Sequence, residues 1–333
     1  MRKLIFGIII FLASAVLISC GGNKTNKYED LPEELAKIFI EIDKNPNNPD
    51  LYYQRALYYL DNKLIDSAYY DAYKALKLDS INPDRYIFLA DLYFMQGLFE
   101  NSEEILERAH EKSPESIEVM MKLAEIQLYY QRYGEMNDFL NMALEKDSRN
   151  PQAFFMKGYA FKEQGDTLNA IRNFNKAVDQ NSSYYEAYIQ LGLMYHSRKD
   201  RLALDFYNNA LNIRPQSIEA HYNIAIFYQD IGDYAKAKDR YEMITQIDNT
   251  YSRAYHNLGW ICMEIDKNYE DAVNYFNQAI AYQSDYVDAL YNRGVAYEKM
   301  GEKQKAIDSY ASVINIDSEY IPAHQRILYL EKK

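Results

Sequence analysis

The chain has very few cysteines, tryptophans and prolines. Its 333 residues include two cysteines, one tryptophan and eight prolines. Cys20 and Cys262 lie far apart in the sequence, and one such pair of thiols cannot form the disulfide framework of a small secreted domain. The folded part must therefore be stabilised by burial of apolar side chains, which the 48% of hydrophobic residues can supply.

Basic residues are also in short supply. The 37 lysines and arginines are outnumbered by 49 aspartates and glutamates, which gives a formal net charge of −12 at pH 7. Binding to nucleic acid requires lysine and arginine concentrated against the phosphates, so we expect no nucleic-acid partner. The acidic balance instead predicts a solvated, generally negative surface.

The usual motifs of catalysis are absent from the sequence. There is no glycine-rich phosphate loop, no His-Glu-x-x-His zinc motif and no Gly-x-Ser-x-Gly nucleophile motif. His221 and His256 lack a third residue that would complete a metal site. We therefore predict a protein that is not an enzyme, with no metal, no cofactor and no small-molecule substrate.

The first 20 residues have the pattern of an export signal. Two basic residues precede an apolar run over 4–18, which is shorter than the ~20 residues that a helix needs to span a bilayer core. The run ends in LISC at 17–20, which resembles the lipobox of bacterial lipoproteins. This resemblance implies that residues 1–19 are a cleaved signal peptide and that Cys20 carries several acyl chains, which anchor stably. The alternative is an uncleaved helical anchor.

Residues 20–30 are polar and begin with two glycines, so they predict a flexible tether. Gly21 rather than an aspartate follows Cys20. By resemblance to the enterobacterial sorting rule, this favours the outer membrane over the inner membrane. We therefore expect a location in the bacterial cell envelope, lipid-anchored to the outer membrane and facing the periplasm.

Small residues recur from residue 49 onward at intervals of 33 to 35. The first column comprises Ala56, Ala90, Ala124, Gly158, Gly192, Ala225, Gly259 and Gly294. The second comprises Ala68, Ser102, Met136, Ala170, Ala203, Ala237, Ala272 and Ala306, and in the last five copies an aromatic residue follows four positions later. Helices approach closely only where side chains are small, so the columns mark helix crossings. Gly97, Gly165, Gly232 and Gly301 are expected to form turns between paired helices.

This period, the LGLMY sequence at 191–195 and the alanine–aromatic spacing resemble the tetratricopeptide repeat. The resemblance implies an all-α, right-handed superhelical solenoid of helix-turn-helix repeats, because stacked copies share one core. A capping helix is expected at 31–48 and another at 321–333. Between them, 49–320 divides into eight copies, at 49–82, 83–116, 117–150, 151–184, 185–217, 218–251, 252–286 and 287–320.

The first helix of each copy is expected to line a concave groove, where a solenoid usually binds its partner. Asparagines recur there in the last three copies, and an amide can pair with a peptide whatever its sequence. The candidate groove residues are Gln190, Asn223, Asn257, Asn292, Tyr159, Tyr222, His256, Trp260 and Tyr291. The amide ladder resembles the groove of peptide-binding tetratricopeptide proteins.

Two hypotheses follow for the function. The first is a non-enzymatic scaffold whose groove binds an extended peptide or a helix of an envelope protein, in the assembly of a cell-envelope complex. The alternative is a lipoprotein that binds glycan or peptidoglycan, with groove aromatics such as Tyr159, Tyr222 and Trp260 as stacking platforms. The identity of the protein partner is left open by both the residues and the resemblance.

Overall fold

The computed structural model describes residues 27–332. Every regular element in that range is a helix, 18 in all and without a strand, so the predicted all-α fold is confirmed. The predicted signal peptide at 1–19, Cys20 and the first part of the tether lie outside the described residues. None of the helices within 27–332 is long and apolar enough to cross a membrane.

The chain forms two compact units, the first ending at Pro114 and the second beginning at Glu115. The first unit contains α1 Glu33–Lys44, α2 Pro49–Asp61, α3 Ile65–Leu78, α4 Pro83–Met95 and α5 Phe99–Lys112. The second contains α6 Ile117–Tyr129, α7 Tyr133–Lys146, α8 Pro151–Glu163, α9 Thr167–Gln180, α10 Tyr185–His196, α11 Leu202–Ile213, α12 Ile218–Asp230, α13 Tyr234–Ile247, α14 Ser252–Glu264, α15 Tyr269–Tyr282, α16 Val287–Met300, α17 Lys303–Ile316 and α18 Ile321–Lys332.

Each of the eight predicted copies contains one pair of packed helices. We call the even-numbered helices from α2 to α16 first helices, and the odd-numbered helices from α3 to α17 second helices. The two helices of a pair pack on each other, and within each unit a second helix also packs on the next first helix. This stacking buries successive apolar clusters that each span neighbouring helices, which no single helix could bury alone.

Three of the first helices begin with the same two residues. Asn48, Asn82 and Asn150 are N-caps, and each side chain accepts a hydrogen bond from a backbone N–H in the first turn. A proline follows each of them at the first helical position, where no backbone N–H is needed. The Asn-Pro pairs of the sequence therefore set where these helices begin.

The turns inside the eight pairs all contain one residue in the left-handed region. Four are the predicted glycines, with φ between 73° and 82°. The other four are Lys63, Gln131, Lys199 and Lys267, with φ between 54° and 61°. A left-handed conformation costs a residue with a Cβ about 1–2 kcal/mol. The turn geometry imposed by the helix pair therefore overrides local preference in every second copy, which the sequence analysis did not anticipate.

Side-chain size is matched across the helix crossing in seven of the eight pairs, whereas the sixth pair has Ala225 and the ring of Tyr241 at these two positions, both fully buried. Gly158, Gly192, Gly259 and Gly294 each face an aromatic ring of the second helix, and a Cβ on any of them would lie 2.3 to 2.7 Å from that ring. The rings belong to Phe174, Tyr207, Phe276 and Tyr310, which are fully buried. In the first three copies the first helix has alanine, and the matching position of the second helix is Ala72, Leu106 or Leu140. In these seven pairs the crossing keeps interior packing density by pairing glycine with an aromatic ring or alanine with an aliphatic side chain.

The size match predicts the effect of adding one methyl group. In Gly192→Ala the new Cβ would lie 2.3 Å from Cε1 of Tyr207, so we expect the overpacked crossing to lose about 1–3 kcal/mol of stability. Gly134→Ala is the matched control, because a Cβ there meets no atom within 4 Å and should stabilise α7 by about 0.5–1 kcal/mol. The measurement is urea denaturation followed by circular dichroism. Equal midpoints for the two variants would contradict the size match.

Candidate functional site

The nine predicted groove residues all lie on first helices of the second unit. Tyr159 is on α8, Gln190 on α10, Tyr222 and Asn223 on α12, His256, Asn257 and Trp260 on α14, and Tyr291 and Asn292 on α16. All nine side chains are partly buried. We call the side of the second unit that α8, α10, α12, α14 and α16 form with these residues the first-helix face.

Four of these side chains form a relay of hydrogen bonds across three first helices. Asn292 Nδ2 lies 3.0 Å from His256 Nε2, His256 Nδ1 lies 3.3 Å from Asn257 Oδ1, and Asn257 Nδ2 lies 3.2 Å from the Tyr222 hydroxyl. An amide NH₂ can only donate, so His256 Nε2 must accept from Asn292. Its proton is therefore on Nδ1 and is donated to Asn257. The relay has one direction and requires a neutral imidazole.

The surroundings of His256 favour that neutral form. Its ring lies 5.0 Å from the ring of Tyr286 and 5.8 Å from that of Phe276. Burial lowers the pKa of His256 below its ordinary value, and the hydrogen bond to Asn257 and the charge of Asp288 oppose the shift only in part. Asn257 and Asn292, which were predicted to bind a peptide, therefore already form hydrogen bonds within the protein.

Aromatic residues of the first-helix face are the central rings of three-ring clusters. Tyr222 lies between Tyr241 and Tyr251, with ring centroids 5.9 and 6.0 Å away. Tyr291 lies between Tyr310 and Tyr320, at 5.3 and 5.5 Å. Phe155 lies in the same way between Phe174 and Tyr184. His256 lies between Phe276 and Tyr286. Each cluster joins a first helix, its second helix and the residue before the next first helix.

The outer rings of these clusters were missed by the sequence analysis. Tyr184, Tyr251, Tyr286 and Tyr320 stand at the N-cap position, where other copies have asparagine or serine. Burial raises the pKa of Tyr184 and of Tyr286 to about 12, so their hydroxyls stay protonated and can donate. The recurrence of tyrosine at intervals of 35 and 34 in the last copies was a visible signal for this position.

A second, smaller group joins α8 and α10. Lys162 Nζ donates to Gln190 Oε1 at 3.1 Å and lies 4.4 Å from the centre of the Tyr159 ring. The structure therefore brings Tyr159 and Gln190 together through a lysine that the sequence analysis did not single out. A cation over the ring also covers one of its two faces.

The remaining predicted residues stand apart from both groups. The Trp260 ring lies 6.3 Å from that of Tyr234 on α13 and packs against the core clusters beside α14. Asn223 has no side-chain hydrogen bond to another residue of the range 27–332. Its amide is thus the freest hydrogen-bonding group of the ladder.

Groups that could carry other chemistry are buried or paired. Cys262 is 1% exposed, and burial raises the pKa of its thiol, as expected for a core cysteine. His221 is 4% exposed, and its Nε2 lies 3.1 Å from the carbonyl oxygen of Pro215. Residues 27–332 contain no cluster of three histidine, cysteine or acidic side chains that could hold a metal ion.

Antiparallel helix pairs at a period near 34 residues define an α-helical repeat protein. A family model described as the tetratricopeptide repeat protein 21 N-terminal ARM repeat matches residues 128–330, more than half of the chain. A tetratricopeptide repeat model matches residues 83–126. The chain belongs to the tetratricopeptide repeat family.

Known proteins of similar sequence and fold are repeat proteins as well. Human tetratricopeptide repeat protein 6 is 28% identical over 159 residues, which cover 46% of this chain and 30% of the human protein. A TPR repeat-containing protein of Methanocaldococcus jannaschii is 25% identical over 308 residues, or 86% of this chain and 53% of that protein. This chain thus spans a third to a half of these relatives.

A solved structure shows the same fold. The C-terminal part of a TPR repeat-containing protein from Cytophaga hutchinsonii superposes with a TM-score of 0.61 at 17% identity, over 72% of this chain and 98% of that one. Membership of this family is consistent with a protein-protein interaction scaffold.

The relay predicts a pH dependence of stability. A neutral, buried His256 binds fewer protons in the folded chain than in the unfolded chain below pH 6.5, so stability should fall as the pH drops from 6.5 towards the lowered pKa. The slope from this group is at most about 1.4 kcal/mol per pH unit. Urea midpoints at pH 7 and pH 5 measure it.

His256→Gln keeps a donor and an acceptor but does not titrate, so it should reduce the difference between the two midpoints. Burial lowers the pKa of His221 as well, so part of the slope should remain. His324→Gln is the control, because His324 is exposed on α18 and outside the relay. A slope that is the same in His256→Gln as in the unchanged chain would exclude the neutral relay.

Proposed function

We propose that this protein is a lipid-anchored scaffold of the bacterial cell envelope. Its first-helix face binds an extended segment or a helix of another envelope protein, and the protein itself catalyses no reaction. The lipobox-like sequence at 17–20 and the polar tether at 20–30 support the anchor and favour the outer membrane, facing the periplasm. Membership of the tetratricopeptide repeat family supports the scaffold.

The observation that carries the proposal is the relay on the first-helix face. The relay links the side chains of Asn292, His256, Asn257 and Tyr222 by hydrogen bonds. These side chains are therefore already ordered before a partner binds. Ordering in advance lowers the entropic cost of binding. The relay leaves hydrogen-bonding capacity unused at Asn292, since its Oδ1 is not needed by the relay. A peptide backbone can pair with Asn292 Oδ1 and with the free amide of Asn223.

Ring packing favours this function over glycan stacking on the same face. Tyr222 has aromatic neighbours on two sides, and Lys162 covers one face of Tyr159. A sugar that stacks needs an open ring face, whereas a peptide needs ordered donors and acceptors along its length. The first-helix face offers more ordered donors and acceptors than open ring faces.

Photocrosslinking in cells tests the binding face. A photoreactive amino acid at position 223 should give a discrete protein adduct, because Asn223 is the freest amide of the ladder. The matched control is position 208, where Asn208 is exposed on the second helix α11. Asn292→Ala should weaken the adduct at 223 severalfold without changing the fold. An adduct of equal strength at both positions, or none at 223 in folded protein, would reject the first-helix face as the partner site.

Metabolic labelling with an alkyne fatty acid tests the anchor. The protein should incorporate the label and partition with membranes, and Cys20→Ser should abolish both. Cys262→Ser is the matched control and should keep the label, because this thiol is buried. Label that persists in Cys20→Ser would show that Cys20 is not the lipidated residue.

A further inference from the structure

A cavity in the first unit lies outside every surface discussed so far. It has a volume of about 310 Å³ and is lined by Phe39, Arg55, Tyr59, Asp66, Ser67, Tyr70 and Asp71. These residues come from α1, α2 and the first half of α3. The volume is at the lower end of the range of about 300–1,000 Å³ for ligand cavities, so it suits a small ligand.

The floor of the cavity is a rigid planar pair. Arg55 Nε and Nη2 donate to the two carboxylate oxygens of Asp71 at 2.6 and 2.8 Å. Asp71 is 1% exposed, and the guanidinium lies 4.4 Å from the centre of the Phe39 ring. A bidentate pair stacked on a ring has little freedom to move, so the floor is preorganised.

Two tyrosines provide the walls. Tyr70 is 68% exposed, so packing of the fold does not require its ring. Tyr59 is partly buried, and burial raises the pKa of its hydroxyl, which therefore stays protonated beside the Arg55–Asp71 pair. Tyrosine combines a flat apolar face with a polar tip, which is the chemistry of a surface that binds both C–H and O–H groups.

The charges of the cavity exclude most other small ligands. Its single arginine is neutralised by Asp71, and Asp66 at the rim adds a further negative charge, so a phosphate or carboxylate ligand is disfavoured. An ammonium ligand is best held by several ring faces together, whereas the guanidinium of Arg55 already occupies one face of Phe39 and Tyr70 is the exposed ring of the lining. A neutral ligand with several hydroxyls fits best, since carboxylate and hydroxyl groups line the walls.

We propose that this cavity binds the ring of a neutral sugar. The C–H face of the sugar packs on Tyr70, and its hydroxyls pair with Asp66, Ser67 and the Tyr59 hydroxyl, above the Arg55–Asp71 floor. The site is separate from the first-helix face, so it does not depend on the scaffold function. It gives the first unit a ligand of its own.

Saturation-transfer NMR on the full chain in detergent micelles tests the site. The probes are methyl glucoside, methyl mannoside and the disaccharide of N-acetylglucosamine, with glucose 6-phosphate and choline for comparison. We expect transfer to at least one neutral sugar. Tyr70→Ala should weaken its binding about tenfold, which corresponds to about 1.4 kcal/mol. Tyr59→Phe should weaken it severalfold, because only the hydroxyl is lost.

Tyr73→Ala is the matched control, because Tyr73 is also exposed on α3 and does not line the cavity. It should leave sugar binding within about twofold, well below the loss expected from an aromatic contact. The proposal is overturned if none of the three neutral sugars binds, if choline or glucose 6-phosphate binds more tightly than they do, or if Tyr70→Ala binds as the unchanged chain does.

Discussion

The contact between a small residue of each first helix and the side chain opposite it is the constraint on which the rest of the structure depends. Gly294 admits the ring of Tyr310, and that ring packs on Tyr291, which packs in turn on Tyr320 before the next helix. The same sequence of contacts links Gly158 with Phe174, Phe155 and Tyr184. A Cβ at Gly192 would lie 2.3 Å from the ring of Tyr207, so that ring would have to move. The size of the side chains at the helix crossing therefore controls how successive helix pairs stack.

The same constraint determines the chemistry of the first-helix face. His256 occupies the central position of its ring cluster, so packing holds the imidazole in place and burial keeps it neutral. Only a neutral, fixed imidazole can accept from Asn292 while donating to Asn257. The proposed binding face is thus ordered by the core behind it. A partly buried polar network of this kind is stable because each member is paired.

The two units use their aromatic residues differently. In the first unit the helix crossings are filled by Ala72 and Leu106, and Tyr70 is exposed. In the second unit the rings of Phe174 and Tyr207 fill the crossings and are fully buried. One tyrosine-rich composition, with 34 tyrosines in the chain, therefore supplies buried rings such as Tyr86 and Tyr207 and exposed rings such as Tyr70.

The sequence by itself determined the all-α fold, the period and the turn glycines such as Gly165, because those depend on residue size and local backbone freedom. It also placed Asn257 and Asn292 on the side that the first helices share. Only the tertiary structure decided that His256 joins them, that Lys162 joins Tyr159 to Gln190, and that Lys199 adopts a left-handed turn. These features depend on distances between different helix pairs and on turns imposed by packing. The spacing of residues along a chain predicts which face of a helix a residue lies on, but it does not predict which residue its side chain contacts.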